Sequence, residues 1–459
     1  MRIVTGGHRQ VEGVNYSKTF SSAAKMPTIR VILANAATQD WEIEHVDVKS
    51  VYLNVMLKET IYMKPPQGVL KPGEEGKVCR LVKGLYGLKQ AGCGWYQEMS
   101  WVLVKDLGFT CSAVDHSVFF RCSSNEHTII TVATNDMAET SKRAEDITRF
   151  KANIQCYWEI TDNGPIHWFL GFQISRDHHT VQTISINQSA YIQAMVNKFR
   201  LTNSAPVATP MVTGATFSTS NSPLTPTQVT RMRRIPYVEA IGSVLWPVII
   251  SRPDAAFAVS TLLQFIQNPG PAHWEPLKRM TIFLGSMKDL WLTFSGRSKL
   301  ATEGFCDADW GGQKHHHSIS GYSFHMGARA ISWSSKKQQV VALSSNKAEY
   351  IAQTHAAKEV LWLCSFLQEL HSTPDDPLIL NCDNQGAIAL TKDNKFHRRT
   401  KHIDVHYHFI HEAVEDRKVM VQYILTGDNI SNIFTKPLAK AKFWELTELL
   451  RLHTITCKV

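Results

Sequence analysis

The chain is poor in the features that mark secreted, membrane-spanning or zinc-knuckle proteins. Its nine cysteines are scattered, with no Cys-x-x-Cys and no close pair. That argues against a zinc module or an extracellular disulfide framework, and for a reducing compartment. A long uninterrupted apolar run is missing too. The most apolar stretch, Gly242 to Leu263, is broken by Pro247, Arg252, Pro253 and Asp254, so it is too interrupted to span a bilayer. The opening Met-Arg-Ile-Val-Thr-Gly-Gly-His is too polar for a signal peptide. Together these absences lead to the expectation of an intracellular protein, cytoplasmic or nuclear, with no membrane partner. Internal repeats are also lacking.

What is present fits a globular protein with an anionic partner. At 459 residues the chain is long enough for two or three domains, each with its own core. Lysine and arginine number 49 against 40 for aspartate and glutamate, a net charge of +9, which favours a polyanionic partner. Residues 1–200 alternate short apolar runs with helical patterns, as in a mixed α/β domain. Strands are expected over Ile43 to Val48, Ile129 to Ala133 and Trp168 to Ile174. Across 203–236 the composition shifts to Ser, Thr and Pro, a linker signature. A helical stretch follows, in which Pro247 should kink or break the ladder. The final segment opens with strands at Gly304–Asp307, Ser320–Met326 and Arg329–Trp333. A long amphipathic helix then starts near Asn346, with Glu349 placed to cap it, and Leu378 to Cys382 reads as a strand that delivers Asp383.

Two sets of carboxylates stand out, each with one asparagine among them. The first is Asp47 with the Asn135–Asp136 pair; the second is Asp307, Glu349 and Asp383, with Asn432 last in line. Magnesium takes hard oxygen ligands, and two such ions can clamp the attacking water and the leaving oxygen of a phosphodiester. Any one of these acids alone reads as a solvated surface group. An ordered set on strand, helix and strand end points instead to phosphoryl transfer on nucleic acid.

The words around the second set carry a resemblance. Cys306-Asp307-Ala308-Asp309-Trp310-Gly311-Gly312, Ser320-Gly321-Tyr322, Ile331-Ser332-Trp333-Ser334-Ser335-Lys336, Ala348-Glu349-Tyr350, Cys382-Asp383-Asn384-Gln385 and Arg399-Thr400-Lys401-His402-Ile403 closely resemble the ribonuclease H domain of copia-type LTR retrotransposons. The match is long and colinear. It implies hydrolysis of the RNA strand of an RNA–DNA hybrid, with Asp307, Glu349 and Asp383 as metal ligands. The family's fourth ligand is an aspartate in a word Asn-x-Ala-Asp-x-x-Thr-Lys. Here that word is Asn429-Ile430-Ser431-Asn432-Ile433-Phe434-Thr435-Lys436, so Asn432 leaves one ligand neutral and the nuclease impaired.

The resemblance extends to the first 200 residues as the family's reverse transcriptase. Asp47-Val48-Lys49-Ser50-Val51-Tyr52-Leu53-Asn54 is similar to its first catalytic motif, which makes Asp47 a metal ligand and Tyr52 an aromatic gate against a ribose 2′-hydroxyl. Leu85-Tyr86-Gly87-Leu88-Lys89-Gln90-Ala91 is similar to the template- and nucleotide-positioning motif, with Gln90 as the contact. Phe169-Leu170-Gly171 resembles the primer-gripping segment, and Arg2 resembles a fingers arginine suited to triphosphate. The key word Tyr-Val-Asp-Asp-Met is here Ala133-Thr134-Asn135-Asp136-Met137. Asp136 persists as a ligand, while Asn135 replaces the acid expected to bridge the metals. A charge pair about 4 Å apart is worth about 4 kcal/mol at an effective dielectric of about 20. At about 1.4 kcal/mol per decade, a loss of roughly a thousandfold or more is expected, which leaves the polymerase site inactive or nearly so. Val55, where the family has glycine, implies a lost turn conformation. Gly92-Cys93-Gly94 replaces a Pro-Arg-rich word. Each Asp-to-Asn change needs a single base transition, which fits decay of a genomic copy.

The resemblance therefore implies an α/β (α+β) architecture. A right-hand palm-and-fingers reverse transcriptase would occupy 1–202, its fingers truncated at Met1. A linker would follow over 203–236, a helical connection over 237–299, and a ribonuclease H-like domain over 300–459. The implied cofactor is magnesium (Mg2+), in two-metal sites that are both incomplete. The implied partners are an RNA template, a DNA primer and the RNA–DNA hybrid. Protease and integrase regions are absent, so a Pol fragment is expected. A catalytically dead relic that only binds nucleic acid is the alternative. Lys395, Arg398, Arg399 and Lys401 form a basic cluster suited to phosphate contact with salt-sensitive binding. His315-His316-His317 reads as a polar turn. His402 and His406 lie one helical turn apart, a spacing compatible with zinc, but without an evident third ligand.

Overall fold

The computed structural model describes residues 3–66, 68–69, 72–74, 76–123, 126–178, 182–223, 225–296, 302–312, 316–372, 376–392 and 409–455. Two compact units emerge, one formed by Met1–Ile29 with Trp41–Leu170, the other by Arg30–Asp40 with Gly171–Val459. Both mix helices and strands, in the α/β class expected from the sequence.

The first unit is built on strands β1 (Glu42–Val48), β2 (Thr110–Cys111), β3 (Val118–Cys122), β4 (His127–Ala133), β5 (Asp136–Ser141) and β6 (Ile160–Pro165). They form one antiparallel sheet in the order β2-β3-β4-β5-β1-β6. Side chains alternate across a strand, so Val46 and Val48 of β1 enter a core with Val132, Met137, Phe119 and Trp95. Asp47, between the two valines, is thereby turned to the opposite face. Helix α1 (Ala91–Trp101) and helix α2 (Ala144–Gln155) supply Met99, Phe150 and Ile154 to the same core. A hairpin of Met56–Met63 with Cys79–Lys83 extends the unit.

The second unit begins with β7 (Phe172–Asp177), β8 (Thr183–Asn187), β9 (Leu290–Ser295) and a short C-terminal strand, Leu452–Thr454, paired antiparallel in that order. The single strand expected over Trp168–Ile174 is interrupted, because Leu170 (φ 47°) and Gly171 (φ 80°) take left-handed conformations. Helix α3 (Ser189–Lys198) precedes α4 (Tyr237–Ile250) and α5 (Pro271–Ser286). A kink or break in the ladder is expected at Pro247; the helix does not end there, and α4 runs through it to Ile250. Proline removes the N–H that the Ser243 carbonyl would have accepted, and the Tyr191 hydroxyl donates to that carbonyl instead, at 3.0 Å.

A second sheet carries β10 (Thr302–Asp309), β11 (Ile319–Met326), β12 (Arg329–Lys337), β13 (Leu378–Cys382) and β14 (Val419–Tyr423) in the order β12-β11-β10-β13-β14. The first three are antiparallel neighbours; β13 runs parallel to both β10 and β14. Helix α6 (Ser345–Glu369) buries Ala348, Ile351, Ala352, Ala356, Val360, Leu363 and Leu367 along one stripe, the 3.6-residue period read from the sequence. Its cap is Ser344, whose hydroxyl accepts from the Lys347 N–H at 3.3 Å. Glu349 is therefore not the cap, and its carboxylate is left for other partners. Among the described residues no helix is long and apolar enough to cross a membrane.

Candidate functional site

In the first unit Asp47, Asn135 and Asp136 meet where β1 lies beside the β4–β5 hairpin. Asp47 and Asp136 are directly opposed in the antiparallel register. The turn is made by Thr134 at φ 61°, and its carbonyl accepts from the Trp95 indole at 2.6 Å. The Val48 N–H donates to the Asn135 carbonyl at 2.9 Å, which ties the turn to β1. The Asn135 side-chain amide donates to Asp47 Oδ1. Asp136 is engaged by His45 Nε2 at 2.9 Å, and the other ring nitrogen of His45 meets Asn163 at 3.2 Å. Each carboxylate thus has a compensating group supplied by the chain, and for Asp47 that group is the amide standing where an acid was expected. A donor N–H, rather than a second acid, faces Asp47 Oδ1.

The other residues implied for this unit are placed as follows. Tyr52 lies in the turn Val51–Asn54 after β1, edge-on to Tyr86 with ring centroids 4.6 Å apart. Gln90 is buried; its amide donates to the Asn15 carbonyl at 2.8 Å and its oxygen accepts from Gln10 at 2.9 Å. Phe169 packs edge-on against His45. Arg2 lies outside the described residues. Val55 departs from expectation: at φ −96° it sits in ordinary extended backbone, so no glycine-only turn is lost there. It is buried, and its Cγ1 lies 2.6 Å from where a Cβ on Gly94 would be.

In the second unit the acids come from β10, α6 and the end of β13. Carboxylate oxygens of Glu349 and Asp383 and the Cys382 sulfur all lie within 4.8 Å of one another. Asp307, in β10, is buried; its Oδ2 accepts from the Thr435 hydroxyl and lies 3.5 Å from Lys436 Nζ. Burial pushes the Asp307 carboxyl up, with Lys436 and Thr435 pulling the other way and Asp383 adding to the rise. Burial pushes Glu349 well above its ordinary value, and the charges of Asp307, Cys382 and Asp383 push it further. A buried carboxylate raised by its neighbours is the environment a divalent cation relieves. Among the described residues Glu349 has no cationic partner, so this group fits a divalent ion.

Asn432 is buried on the turn Ile430–Phe434. Its Nδ2 donates to the carbonyls of Thr426 and Asn429, at 2.8 Å each. Those two acceptors fix which end of the amide is nitrogen, and Oδ1 has no hydrogen-bond partner. Asn429 donates to the Cys306 carbonyl at 2.9 Å, which anchors the turn to β10. Arg398, Arg399 and Lys401, with Lys395, His402 and His406, lie outside the described residues. His317 bonds to the Gln338 carbonyl at 2.9 Å, a contact suited to a turn. Three contributors escaped the sequence reading: Thr435, Lys436 and Cys382. The first two follow Asn432 in the same word, whose signal is the position of its fourth acid. Cys382 was hidden because a lone cysteine carries no metal-ligand spacing.

A family profile described as reverse transcriptase (RNA-dependent DNA polymerase) matches residues 1–213. The chain is 37% identical over 455 residues to the retrovirus-related Pol polyprotein from transposon TNT 1-94 of Nicotiana tabacum, covering 99% of this chain and 34% of that polyprotein. It is 33% identical over 446 residues to the corresponding polyprotein from transposon RE1 of Arabidopsis thaliana, covering 96% and 30%. The chain thus spans about a third of the length of these curated relatives. Among solved structures, native prototype foamy virus protease–reverse transcriptase aligns with a TM-score of 0.22 at 11% identity, over 92% of this chain and 48% of that one.

Proposed function

Since the chain belongs to the reverse transcriptase family of copia-type retrotransposon Pol polyproteins, we propose that its two ancestral activities have parted. The polymerase of residues 1–202 is silent, and the ribonuclease H-like domain of residues 300–459 retains an impaired hydrolysis of RNA in RNA–DNA hybrids. The substrates of the ancestral reaction are an RNA template, a DNA primer and the hybrid they produce.

The observation that carries the nuclease reading is the approach of the Glu349 and Asp383 carboxylates to within 4.8 Å of each other. Magnesium held there would supply charge stabilisation to the phosphoryl oxygens. Glu349 and Asp383 would hold it, with Asp307, whose Oδ2 lies 3.5 Å from Lys436 Nζ, as the third carboxylate of the set. Lys436 is a third exposed at its side chain, a cation that a backbone phosphate would meet. Asn432 contributes no charge, which lowers affinity for the ion and hence the rate. Silence of the polymerase is supported by the Asn135 amide, which donates a hydrogen bond to Asp47 where a bridging acid is needed.

The test is cleavage of a hybrid labelled in its RNA strand, in magnesium and in manganese. RNA fragments that vanish with Asp307→Ala support the proposal. Hybrid bound without cleavage, in either ion, would leave only a non-catalytic nucleic-acid-binding role.

A further inference from the structure

The Glu349–Cys382–Asp383 cluster has a ligand that magnesium chemistry does not use. Magnesium takes oxygen almost exclusively, whereas sulfur selects borderline and soft cations. Cys382 is completely buried, yet its sulfur lies with two carboxylates inside 4.8 Å. Zinc bonds to sulfur at about 2.3 Å and to carboxylate oxygen at about 2.0–2.2 Å, so three donors this close can converge on one ion with small side-chain shifts.

The surroundings are built for the sulfur as an acceptor. Gln353, itself completely buried, donates its Nε2 to Cys382 Sγ at 3.0 Å. The Gln353 oxygen is in turn held by the Thr391 hydroxyl at 2.5 Å, which fixes the amide with its N–H toward sulfur. Such outer partners orient a metal ligand and set its basicity. Asp383, at the end of β13 and only half-buried, gives the cluster its side open to solvent. Cys382 Sγ lies 4.0 Å from Glu349 Oε2, which brings the sulfur to the same carboxylate.

We infer that this cluster is a site for a thiophilic divalent cation of the zinc class, with Cys382 sulfur, Glu349 and Asp383 as protein ligands. Binding releases the thiol proton to solvent, and solvent fills the remaining position. The consequence for activity rests on the nuclease reading: zinc excludes magnesium from the same carboxylates and inhibits hybrid cleavage.

The test uses the reduced full chain and cobalt(II) alone as the probe. Expected is a near-ultraviolet sulfur-to-cobalt charge-transfer band, discharged by one equivalent of zinc. The band should survive Cys156→Ser, which removes an exposed thiol, and disappear in Cys382→Ser. Should Cys382→Ser fail to fold, Asp383→Asn at the strand end serves instead: cobalt affinity should fall about tenfold or more. No band in the unaltered chain, a band that persists without Cys382, or an affinity indifferent to Asp383→Asn would each overturn the assignment. The readout is spectroscopic, so a chain that binds cobalt through sulfur but cleaves no hybrid loses only the nuclease reading. A chain that cleaves hybrid without the band loses only the zinc site.

Discussion

Replacing Asn135 by aspartate is the most informative single change. In the structure the Asn135 amide donates to Asp47 Oδ1, while its carbonyl accepts from Val48 at 2.9 Å. The backbone therefore holds the side chain against Asp47 whatever residue stands there. Asn135→Asp puts a carboxylate where a donor was. It loses a hydrogen bond to a charged group, about 1.5–3 kcal/mol, and adds like-charge repulsion of about 4 kcal/mol before solvent screening at an effective dielectric of about 20. Both groups are half-buried, so a net cost of about 3 kcal/mol remains once screening is allowed for. For a domain of this size that is a fall of about 6–12 °C in Tm. Millimolar magnesium should reverse most of it in the variant and change little in the parent. Thermal unfolding with and without magnesium, followed by primer extension, reads both effects. Equal, magnesium-indifferent Tm values for parent and variant would refute the claim that the amide stands in for a cation. Vigorous extension by the unaltered chain would refute the claim that the site is silent.

Glu139 is completely buried, and neither carboxylate oxygen has a hydrogen-bond partner. Burial pushes its carboxyl well above the ordinary value, with Lys151 opposing and Glu44 and Asp162 adding to the rise. The folded state therefore keeps a proton that the unfolded state releases at about pH 4.3, and this contribution to stability fades as pH rises through the folded value. Glu139→Gln should flatten that decline in urea titrations, and Glu139→Leu should stabilise the first unit by about 2–4 kcal/mol at neutral pH. Asn432→Asp is not a simple repair, because a carboxylate oxygen would face the Thr426 and Asn429 carbonyls now bonded to Nδ2. A loss of about 2–3 kcal/mol is expected in chemical denaturation, reduced by divalent cation. Gly94→Ala should cost about 1–3 kcal/mol through overpacking against Val55, and Val55→Ala in the same chain should restore most of it.

Local pattern carried much of the fold into the sequence reading. Alternation placed a strand at Ile43–Val48, found at Glu42–Val48, and the 3.6-residue stripe placed the helix that presents Glu349. What escaped was decided at long range or by single atoms. Asn135 and Asp47 are 88 residues apart, Thr435 and Asp307 are 128 apart, and no periodicity reports such pairings. The cap of α6 went to Ser344 because its hydroxyl, one turn earlier, reaches the Lys347 N–H, which released Glu349 for the cluster. α4 continues past Pro247, and the carbonyl left without its N–H is answered by Tyr191, a partner 52 residues away. The departures at Asn135 and Asn432 were legible as letters. Their opposite consequences, one amide aimed at an acid and the other turned onto backbone carbonyls, needed the structure.

The proposed parting of the two activities within one chain can be read in a single reaction. A single template–primer hybrid, labelled differently in the RNA and at the DNA 3′ end, tests it in one reaction with magnesium and deoxynucleotides. The expected result is RNA fragments alongside an unextended primer. A lengthened primer, or RNA left intact on a hybrid that the chain demonstrably binds, would contradict it.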